Sequence, residues 1–302
     1  MHRITYLISI IIILIAKSGH AQKDQLRKEL RQVASSISGS VGVAIKHLEN
    51  NDTVSVNGRS HFPMQSVYKF PLALAILDQV DKGKLSLEQK VHMSKDDYFP
   101  TWSPLMKKYP DANVDVPLSE ILYFTAAQSD NAGCDILFSM LGGPAAADRY
   151  IHGLGVKDIA IINTERELHQ SWNVQFDNWS TPVAMTQLLE IFHEGNILSK
   201  QSHDFLWKAM LEVPMGGKRI KGLLPQGTVV AHRTGTGARN DKGIAGAVNN
   251  TGIMVLPDGK HIAITVYVTQ ASEEDSKLEE VIAKIARRVY DYYEGGELRS
   301  KE

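Results

Sequence analysis

Hydrophobic positions near the start of the chain change from a helical to a strand spacing. A short amphipathic segment, about residues 23–36, predicts a helix. In "SVGVAIKHLENNDTVSVNG", apolar side chains alternate at Val41, Val43 and Ile45 and resume after turn-forming residues at 50–52. A period of two that is interrupted by Asn and Asp predicts a hairpin with one buried face.

The pattern then becomes helical and returns to strands only near the end. Roughly residues 64–208 are predicted to form mainly helices and loops, among them "LSEILYFTAAQSDNAGCDILFSML". Strand patterns reappear after "LLPQG", in "TVVAHRTG", "IAGAVNNTGIMVL" and "HIAITVYV". A final helix is predicted in "SEEDSKLEEVIAKIARRVYDYY", with Ser272 and Asp275 as a capping-box-like pair.

This order of elements predicts an α/β fold. Strands at both ends of the chain indicate one antiparallel sheet that both termini build, covered by helices as a three-layer α-β-α sandwich with an inserted all-α lobe. We predict an α/β lobe of residues 22–60 plus 209–302 and an all-α lobe of residues 61–208. A cleft between the two lobes is the expected place for a ligand site.

The first residues have the layout of a secretory signal peptide. A short basic start precedes an apolar run over residues 7–16, interrupted by Ser9 alone, and a small-residue ending before Gln22. The run is shorter than the roughly 20 residues that a membrane-spanning helix requires. We therefore predict that residues 1–21 are removed on export and that no membrane attachment remains.

Composition excludes several classes of function. With 33 Lys and Arg against 34 Asp and Glu, the chain has no basic field for nucleic acid. A single cysteine, Cys134, excludes an intramolecular disulfide and is expected to be a small buried residue. The eleven histidines are scattered without a metal-binding spacing, and no phosphate-binding loop follows a strand. Neither a metal nor a cofactor is expected.

Candidate chemistry begins in "MQSVYKFPLALAIL", residues 64–77. Ser66 and Lys69 are three residues apart and share a face of the predicted helix. A serine hydroxyl becomes a nucleophile when a base lies within hydrogen-bond reach, and a buried lysine can be that base. Because S-x-x-K is common by chance, this pair alone leaves open a polar first turn that caps a buried helix.

Three further motifs follow in order: "SDN" at 129–131, "EREL" led by Glu165, and "RTG" at 233–235. The combination of S-x-x-K, S-D-N and K-T-G is the signature of class A β-lactamases and penicillin-binding proteins. The chain resembles class A serine β-lactamases over essentially its whole mature length. That resemblance implies a β-lactamase/transpeptidase-like fold.

The resemblance also implies roles for individual residues. Ser66 is expected to be acylated, with Lys69 in its proton network, Ser129 protonating the departing lactam nitrogen and Glu165 activating the deacylating water. Substrate contacts are expected from Asn131, Arg233, Thr234, Gly235, Thr236, Trp102, His169 and Arg219. Asn131 would hold the acyl side-chain amide, Thr236 would supply an oxyanion N–H beside that of Ser66, and Trp102 would stand at the cleft rim.

Glu165 distinguishes a hydrolase from a penicillin-binding protein. The "EREL" segment resembles the deacylation loop of class A enzymes, which penicillin-binding proteins lack. Glu167 is the competing carboxylate, and the register of Leu168 and "STPVAM" favours Glu165. A DD-peptidase, or a penicillin-binding or sensing protein that acylates without turnover, remains the alternative. Family resemblance further implies a periplasmic monomer that acts on small β-lactams.

Several positions depart from the commonest class A pattern. Arg233 replaces the usual Lys, His169 replaces an Asn that contacts the deacylating water, and Asp135 replaces an Asn near the catalytic Glu. Asn163 and Asn178 replace an Arg and Asp pair, so the salt bridge at the loop ends is expected to be absent.

Asp135, His169 and Asn178 together resemble the PER-like extended-spectrum branch, whose loop folds differently and whose cleft is wide. In "GGKRIKGLLP", Arg219 is a candidate anchor for the substrate carboxylate, although a solvated loop charge remains its alternative. From these features we predict an extended-spectrum cephalosporinase.

Overall fold

The structure is a computed structural model that describes residues 21–298, with side chains through residue 295. The predicted signal peptide, residues 1–21, lies outside this range except for its final residue. Within the described range, none of the helices has both the length and the apolar character needed to cross a membrane.

Ten helices and ten strands are numbered in chain order within the described residues. The helices are α1 (21–34), α2 (Lys69–Asp81), α3 (Pro104–Lys108), α4 (Leu118–Gln128), α5 (Asn131–Leu141), α6 (Pro144–Gly153), α7 (Glu165–Leu168), α8 (Pro182–His193), α9 (Lys200–Leu211) and α10 (Asp275–Leu298). The strands are β1 (Ser40–His47), β2 (Thr53–Val56), β3 (Phe62–Pro63), β4 (Lys90–Met93), β5 (Val114–Pro117), β6 (Ile159–Ala160), β7 (Trp179–Ser180), β8 (Val230–Thr236), β9 (Val248–Val255) and β10 (His261–Thr269). Short 3₁₀ turns lie at Gln65–Tyr68, Lys95–Asp97, Val174–Phe176 and Ile220–Leu223.

The central sheet is antiparallel and five-stranded, in the order β2-β1-β10-β9-β8. Its first two strands come from the N-terminal part of the chain and the other three from the C-terminal part, which confirms the predicted sheet. Strand β8 is an edge strand, and its free edge faces the turn that carries Ser66. The fold therefore brings "RTG" beside the start of α2.

Helices cover both faces of the sheet, so the predicted three layers are confirmed. On one face, α1 and α10 pack on the sheet through a core that includes Leu30, Val43 and Ile282. On the other face, Tyr267 belongs to a larger core that extends through α2, α4, α5, α8 and α9. The predicted lobe boundaries at 60/61 and 208/209 stay a prediction.

The prediction of one buried face for the first hairpin is confirmed for β2, whose residues alternate between exposed and buried, but it is wrong for β1. Six of the eight residues of β1 are buried on both faces, because β1 lies between β2 and β10 and beneath α8. Small residues face α8: a Cβ added at Gly42 would lie 2.8 Å from Pro182, the first residue of α8. Such small residues carry no hydrophobic alternation, so the second buried face left no signal.

Two further details differ from the sequence-based expectation. The pairs β4–β5 and β3–β7–β6 add small sheets between the helices, where strands of two to four residues are too short for a clear period. Ser272 and Asp275 do not form a capping box: the Ser272 hydroxyl lies 2.9 Å from that of Ser38, and Asp275 pairs with Arg239. Contacts with distant loops take the place of the local cap.

Candidate active site

Ser66 lies in the 3₁₀ turn that leads into α2. Its predecessor Gln65 has φ +49°, a left-handed conformation that costs a non-glycine residue free energy. The Gln65 side chain donates to the Gln175 carbonyl at 3.2 Å, which helps to hold this turn. Helix α2 is buried from Lys69 to Asp78, so the turn stands on a rigid base.

Lys69 is fully buried and connects the motifs. Its Nζ atom donates to Ser66 Oγ at 3.1 Å, to the Ser129 carbonyl at 3.1 Å and to Asn131 Oδ1. Glu165 Oε1 lies 2.7 Å from the same nitrogen. An ammonium group can donate to three of these four oxygens at a time. The four expected catalytic residues are thus assembled around one nitrogen.

Glu165 begins α7 and is buried beside Lys69. Burial by itself raises the pKa of this carboxyl, but the Lys69 ammonium and a hydrogen bond from Tyr68 outweigh it, so the pKa lies below its usual value. Glu167 instead folds back and accepts hydrogen bonds from the Thr164 N–H and hydroxyl, at 2.8 and 2.9 Å. Of the two carboxylates, only Glu165 faces the nucleophile.

Helix α5 holds this carboxylate through Asp135. The Asp135 side chain accepts the backbone N–H groups of Glu165 and Arg166 at 2.7 and 3.0 Å. Desolvation, together with the nearby Glu165 charge, raises the pKa of Asp135 to about 6. His169 Nδ1 lies 2.6 Å from the Glu165 carbonyl, which can only accept, so Nδ1 donates and Nε2 stays free for a water.

The ends of the loop are closed by neutral amides. Asn178 is fully buried; its Oδ1 accepts the N–H groups of Ile162 and Asn163, and its Nδ2 donates to the Asn163 carbonyl at 2.8 Å. Its own carbonyl accepts the Met64 N–H at 2.8 Å. The loop is therefore tied to the nucleophile turn without an Arg–Asp pair.

The "SDN" segment joins α4 to α5. Ser129 directly follows α4 and has the left-handed φ of +63°. Asp130, to which the motif analysis assigned no role, is fully buried and accepts from Ser103 Oγ, the Leu105 N–H and the Gly133 N–H. The Asp130 carboxylate holds the junction between α4 and α5 in place, and thereby positions Ser129 and Asn131.

Arg233 is buried behind the nucleophile. Its guanidinium donates to the Ser66 carbonyl at 2.9 Å, the Ala126 carbonyl at 3.3 Å and Ser129 Oγ at 2.6 Å. Burial lowers the pKa of Arg233 to about 10, so it stays charged at neutral pH. Since a guanidinium only donates, Ser129 Oγ is the acceptor and keeps its own hydrogen for another partner. Thr234 follows and is also buried.

The end of β8 approaches the nucleophile turn closely. A Cβ at Gly235 would lie 2.4 Å from the Met64 carbonyl, so only glycine fits there. Gly237 donates its N–H to the Ala247 carbonyl of the neighbouring chain segment at 2.9 Å. Because successive residues of a strand direct their N–H groups to opposite edges, the N–H of Thr236 points toward the cleft.

Arg219 is buried, so its interpretation as a solvated loop charge is wrong. It donates to the carbonyls of Gly235 and Asn249 at 3.0 and 2.9 Å and to Thr236 Oγ1 at 2.8 Å. Glu279 of α10 lies 3.1 Å from its Nε. The guanidinium braces the end of β8 from the side opposite to the nucleophile turn.

Trp102 lies beside "SDN" and is half exposed, with 51% of its surface accessible. Its indole donates to the Gln128 carbonyl at 2.9 Å, and its carbonyl accepts the Asn131 N–H at 3.0 Å. Trp102 was expected at the rim of the cleft, but it is not among the residues that line the cavity containing Ser66. Asn131 donates its Nδ2 to Thr101 Oγ1 at 2.7 Å.

A cavity of about 490 Å³ opens over these groups. Its lining includes Ser66, Glu165, His169, Trp172, Gln175 and Thr236. Trp172 and Gln175 were missed because neither belongs to a motif. Gly237 and Gly246 make room for Gln175, because a Cβ at Gly246 or Gly237 would lie 2.1 or 2.6 Å from the Gln175 amide, but both glycines are distant from it in sequence.

Comparison with known proteins decides the family. A family model described as the β-lactamase enzyme family matches residues 25–293, nearly the whole described chain. The chain belongs to this family. This β-lactamase is therefore a hydrolytic enzyme. Its antiparallel sheet and covering helices form the fold expected for β-lactamases.

Individual relatives place this β-lactamase in class A, near the PER-like branch. It is 41% identical to β-lactamase VEB-1 of Pseudomonas aeruginosa, over 91% of this chain and 92% of the relative. It is 37% identical to the extended-spectrum β-lactamase PER-1 of the same organism, over 90% and 88%. The crystal structure of the extended-spectrum β-lactamase TLA-1 superposes with a TM-score of 0.89 at 49% identity, covering 90% of this chain and 99% of that one.

Proposed function

We propose that this β-lactamase hydrolyses the cyclic amide of cephalosporins and penicillins through an acyl-enzyme on Ser66, released by water that Glu165 activates. The observation that carries the proposal is the position of Lys69 Nζ, 3.1 Å from Ser66 Oγ and 2.7 Å from Glu165 Oε1. A nucleophile, a proton relay and a buried carboxylate thus meet at one point of a cavity large enough for a small ligand.

Acylation follows from these distances. Lys69 passes a proton to Glu165 and then accepts the Ser66 proton, while Ser66 Oγ bonds to the lactam carbonyl carbon. The N–H of Thr236, which points into the cleft, stabilises the oxyanion together with that of Ser66. The C–N bond breaks, and the nitrogen takes the hydroxyl proton of Ser129, whose Oγ already accepts from Arg233. Lys69 then passes the proton that it took from Ser66 on to Ser129, and Glu165 returns its proton to Lys69.

Deacylation uses the loop that α5 holds. Glu165, ionised again, takes a proton from a water whose oxygen bonds to the ester carbon. The ester bond to Ser66 Oγ breaks as that oxygen receives this proton from Glu165 through Lys69. His169 lines the same cavity, and Nε2 is the ring nitrogen left for this water, because Nδ1 is engaged by the Glu165 carbonyl. Each turnover then consumes one water and restores the protonation of both groups.

The substrate range is proposed to extend to oxyimino-cephalosporins. Asp135, His169 and Asn178 replace the commoner residues of the loop, and PER-1 and TLA-1, which are similar to this chain, are named extended-spectrum β-lactamases. Arg219 and Arg233 supply the positive field for a substrate carboxylate. The predicted signal peptide supports export, and we propose a monomer in the periplasm.

Steady-state kinetics with a chromogenic cephalosporin test the proposal. The mature protein is expected to complete many turnovers and Ser66→Ala none, whereas Ser171→Ala, which alters another serine of the same cavity, keeps activity. One stoichiometric burst from the parent would instead favour a binding or sensing protein. Hydrolysis of penicillins without first-generation or oxyimino-cephalosporins would overturn the proposed substrate range.

A further inference from the structure

A cluster of imidazoles and one carboxylate lies at the end of the sheet opposite to the candidate active site. His261 begins β10, His193 ends α8, and Glu49 lies in the turn after β1. In the sheet, His261 pairs with Val255, whereas Val268 is the β10 residue that lies level with the active-site end of β8. Seven residues of strand separate the two ends, which is about 23 Å.

The three side chains converge on one point. Their potential ligand atoms all lie within 4.8 Å of one another. Glu49 is held in place by His261, which donates to its carboxylate from the backbone N–H at 3.0 Å and contacts it with Nδ1 at 2.9 Å. Tetrahedral coordination at about 2.0–2.1 Å spaces ligand atoms roughly 3.4 Å apart, so only a small closure is needed.

Two observations show that the cluster is not saturated by protein. The His193 ring packs against the His261 ring at 4.3 Å between centroids, and within residues 21–298 it makes no hydrogen bond. His47 is nine-tenths buried, and its Nδ1 lies 3.3 Å from Glu49 Oε2 without a hydrogen bond. Adjacent imidazoles with idle nitrogens gain a common partner when a cation lies between them.

We propose that Glu49, His193 and His261 bind a divalent transition-metal ion, with Zn²⁺ as the best match. Two imidazole nitrogens and one carboxylate are donors that suit Zn²⁺, whereas Ca²⁺ and Mg²⁺ prefer a shell of oxygens. Glu49 is partly exposed, so water completes the coordination. The ion ties the end of α8 to β10 and to the β1–β2 turn, and it takes no part in hydrolysis.

Zn²⁺ titration of the untagged mature protein, stripped with a chelator, tests this site. Calorimetry is expected to give one Zn²⁺ per chain, and the thermal unfolding midpoint is expected to rise with added Zn²⁺. His193→Gln, His261→Gln and Glu49→Gln should each weaken binding by about tenfold or more, since even outer-shell partners contribute about 10–100-fold. Co²⁺ should give visible d–d absorption in the parent and lose it in the variants.

A matched control uses another exposed pair. His92 Nδ1 lies 2.9 Å from Asp115 Oδ1 without a second histidine, so His92→Gln should bind Zn²⁺ like the parent. Unchanged cephalosporin turnover verifies that each variant is folded. Equal Zn²⁺ affinity in the parent and in a His193→Gln/His261→Gln double variant would overturn the proposal, as would the absence of Zn²⁺ binding by the parent.

Discussion

At the scale of single side chains, Lys69 Nζ meets four oxygens although an ammonium group has three N–H bonds. Oxygens of Ser66, Ser129 and Asn131 accept the three hydrogen bonds that Lys69 donates. Glu165 Oε1 is buried beside the nitrogen and accepts none of them. A rotation of the ammonium turns a proton toward Glu165. This arrangement supports the proposed order of proton transfer, in which Glu165 accepts a proton from Lys69 before Lys69 removes one from Ser66.

Arg219 gives a prediction at the same scale. Arg219→Ala removes the donor of three acceptors and leaves Glu279 without its partner, so we expect a loss of about 2–4 kcal/mol of unfolding free energy. The Michaelis constant for cephalosporins should rise, because Thr236 loses its brace. Urea unfolding and steady-state kinetics measure both effects, and Arg219→Lys should fall between parent and Ala. Changes within about 0.5 kcal/mol would indicate a solvated charge instead.

The site residues that could be predicted from the sequence are those that belong to a recognisable motif. Ser66, Lys69, Ser129 and Glu165 were predicted from ordered motifs, and the structure brings them together. The burial of Arg219 was hidden because its partners, such as Glu279 and Asn249, are distant in sequence. The histidines at 193 and 261 were called scattered for the same reason.

At the scale of elements, the link between α5 and α7 is sensitive to pH. Asp135 has a pKa raised from 3.8 to about 6, so between these values the folded protein binds a proton that the unfolded chain does not. Its contribution to stability is therefore full below about pH 4 and is lost as pH rises through 6. Protonation, however, reduces its capacity to accept the N–H groups of Glu165 and Arg166.

We accordingly expect deacylation to slow as pH falls through about 6. The acid limb of kcat for a cephalosporin should follow this pKa in the parent. In Asp135→Asn that limb should disappear, and kcat at neutral pH should fall several-fold because an amide offers only one acceptor oxygen. Asp177→Asn, on the same loop, should keep the limb, and an unchanged limb in Asp135→Asn would contradict this assignment.

Regular elements were predicted where a period was long enough to detect. The five main strands and α10 carry clear patterns, although α10 starts at Asp275 through contacts that the sequence does not display. The short strands β3, β6 and β7 depend on tertiary pairing, as between Phe62 and Ser180. Two residues carry no period, so such strands cannot be predicted locally.

At the scale of the whole molecule, the sheet has a hydrophobic core on each face, and only one of the two cores lies next to the Ser66 turn. Leu30 of α1 belongs to the core beneath α10, away from the Ser66 turn. The antiparallel arrangement followed from strands at both ends of the chain. The lining of the cavity by Trp172 and Gln175 could not be predicted, because it depends on how the loops fold over the cavity.

Leu30→Ala should therefore lower the free energy of unfolding by about 2–5 kcal/mol through a cavity in this core. The kcat/KM for a cephalosporin should remain that of the parent at temperatures where the protein is folded. Leu223→Ala, at a leucine that is 45% exposed, should change stability by no more than about 0.5 kcal/mol. A large loss of kcat/KM in folded Leu30→Ala would show that the two functions are coupled.

Intact-mass spectrometry of Glu165→Ala after mixing with a cephalosporin addresses the proposed mechanism itself. We expect a long-lived adduct that peptide mapping locates on Ser66, while the parent and Glu167→Ala turn over and show no accumulated adduct. Glu167 is the matched control because its carboxylate caps its own helix. Rapid turnover by Glu165→Ala, or an adduct on another residue, would contradict a Ser66 acyl-enzyme that Glu165 releases.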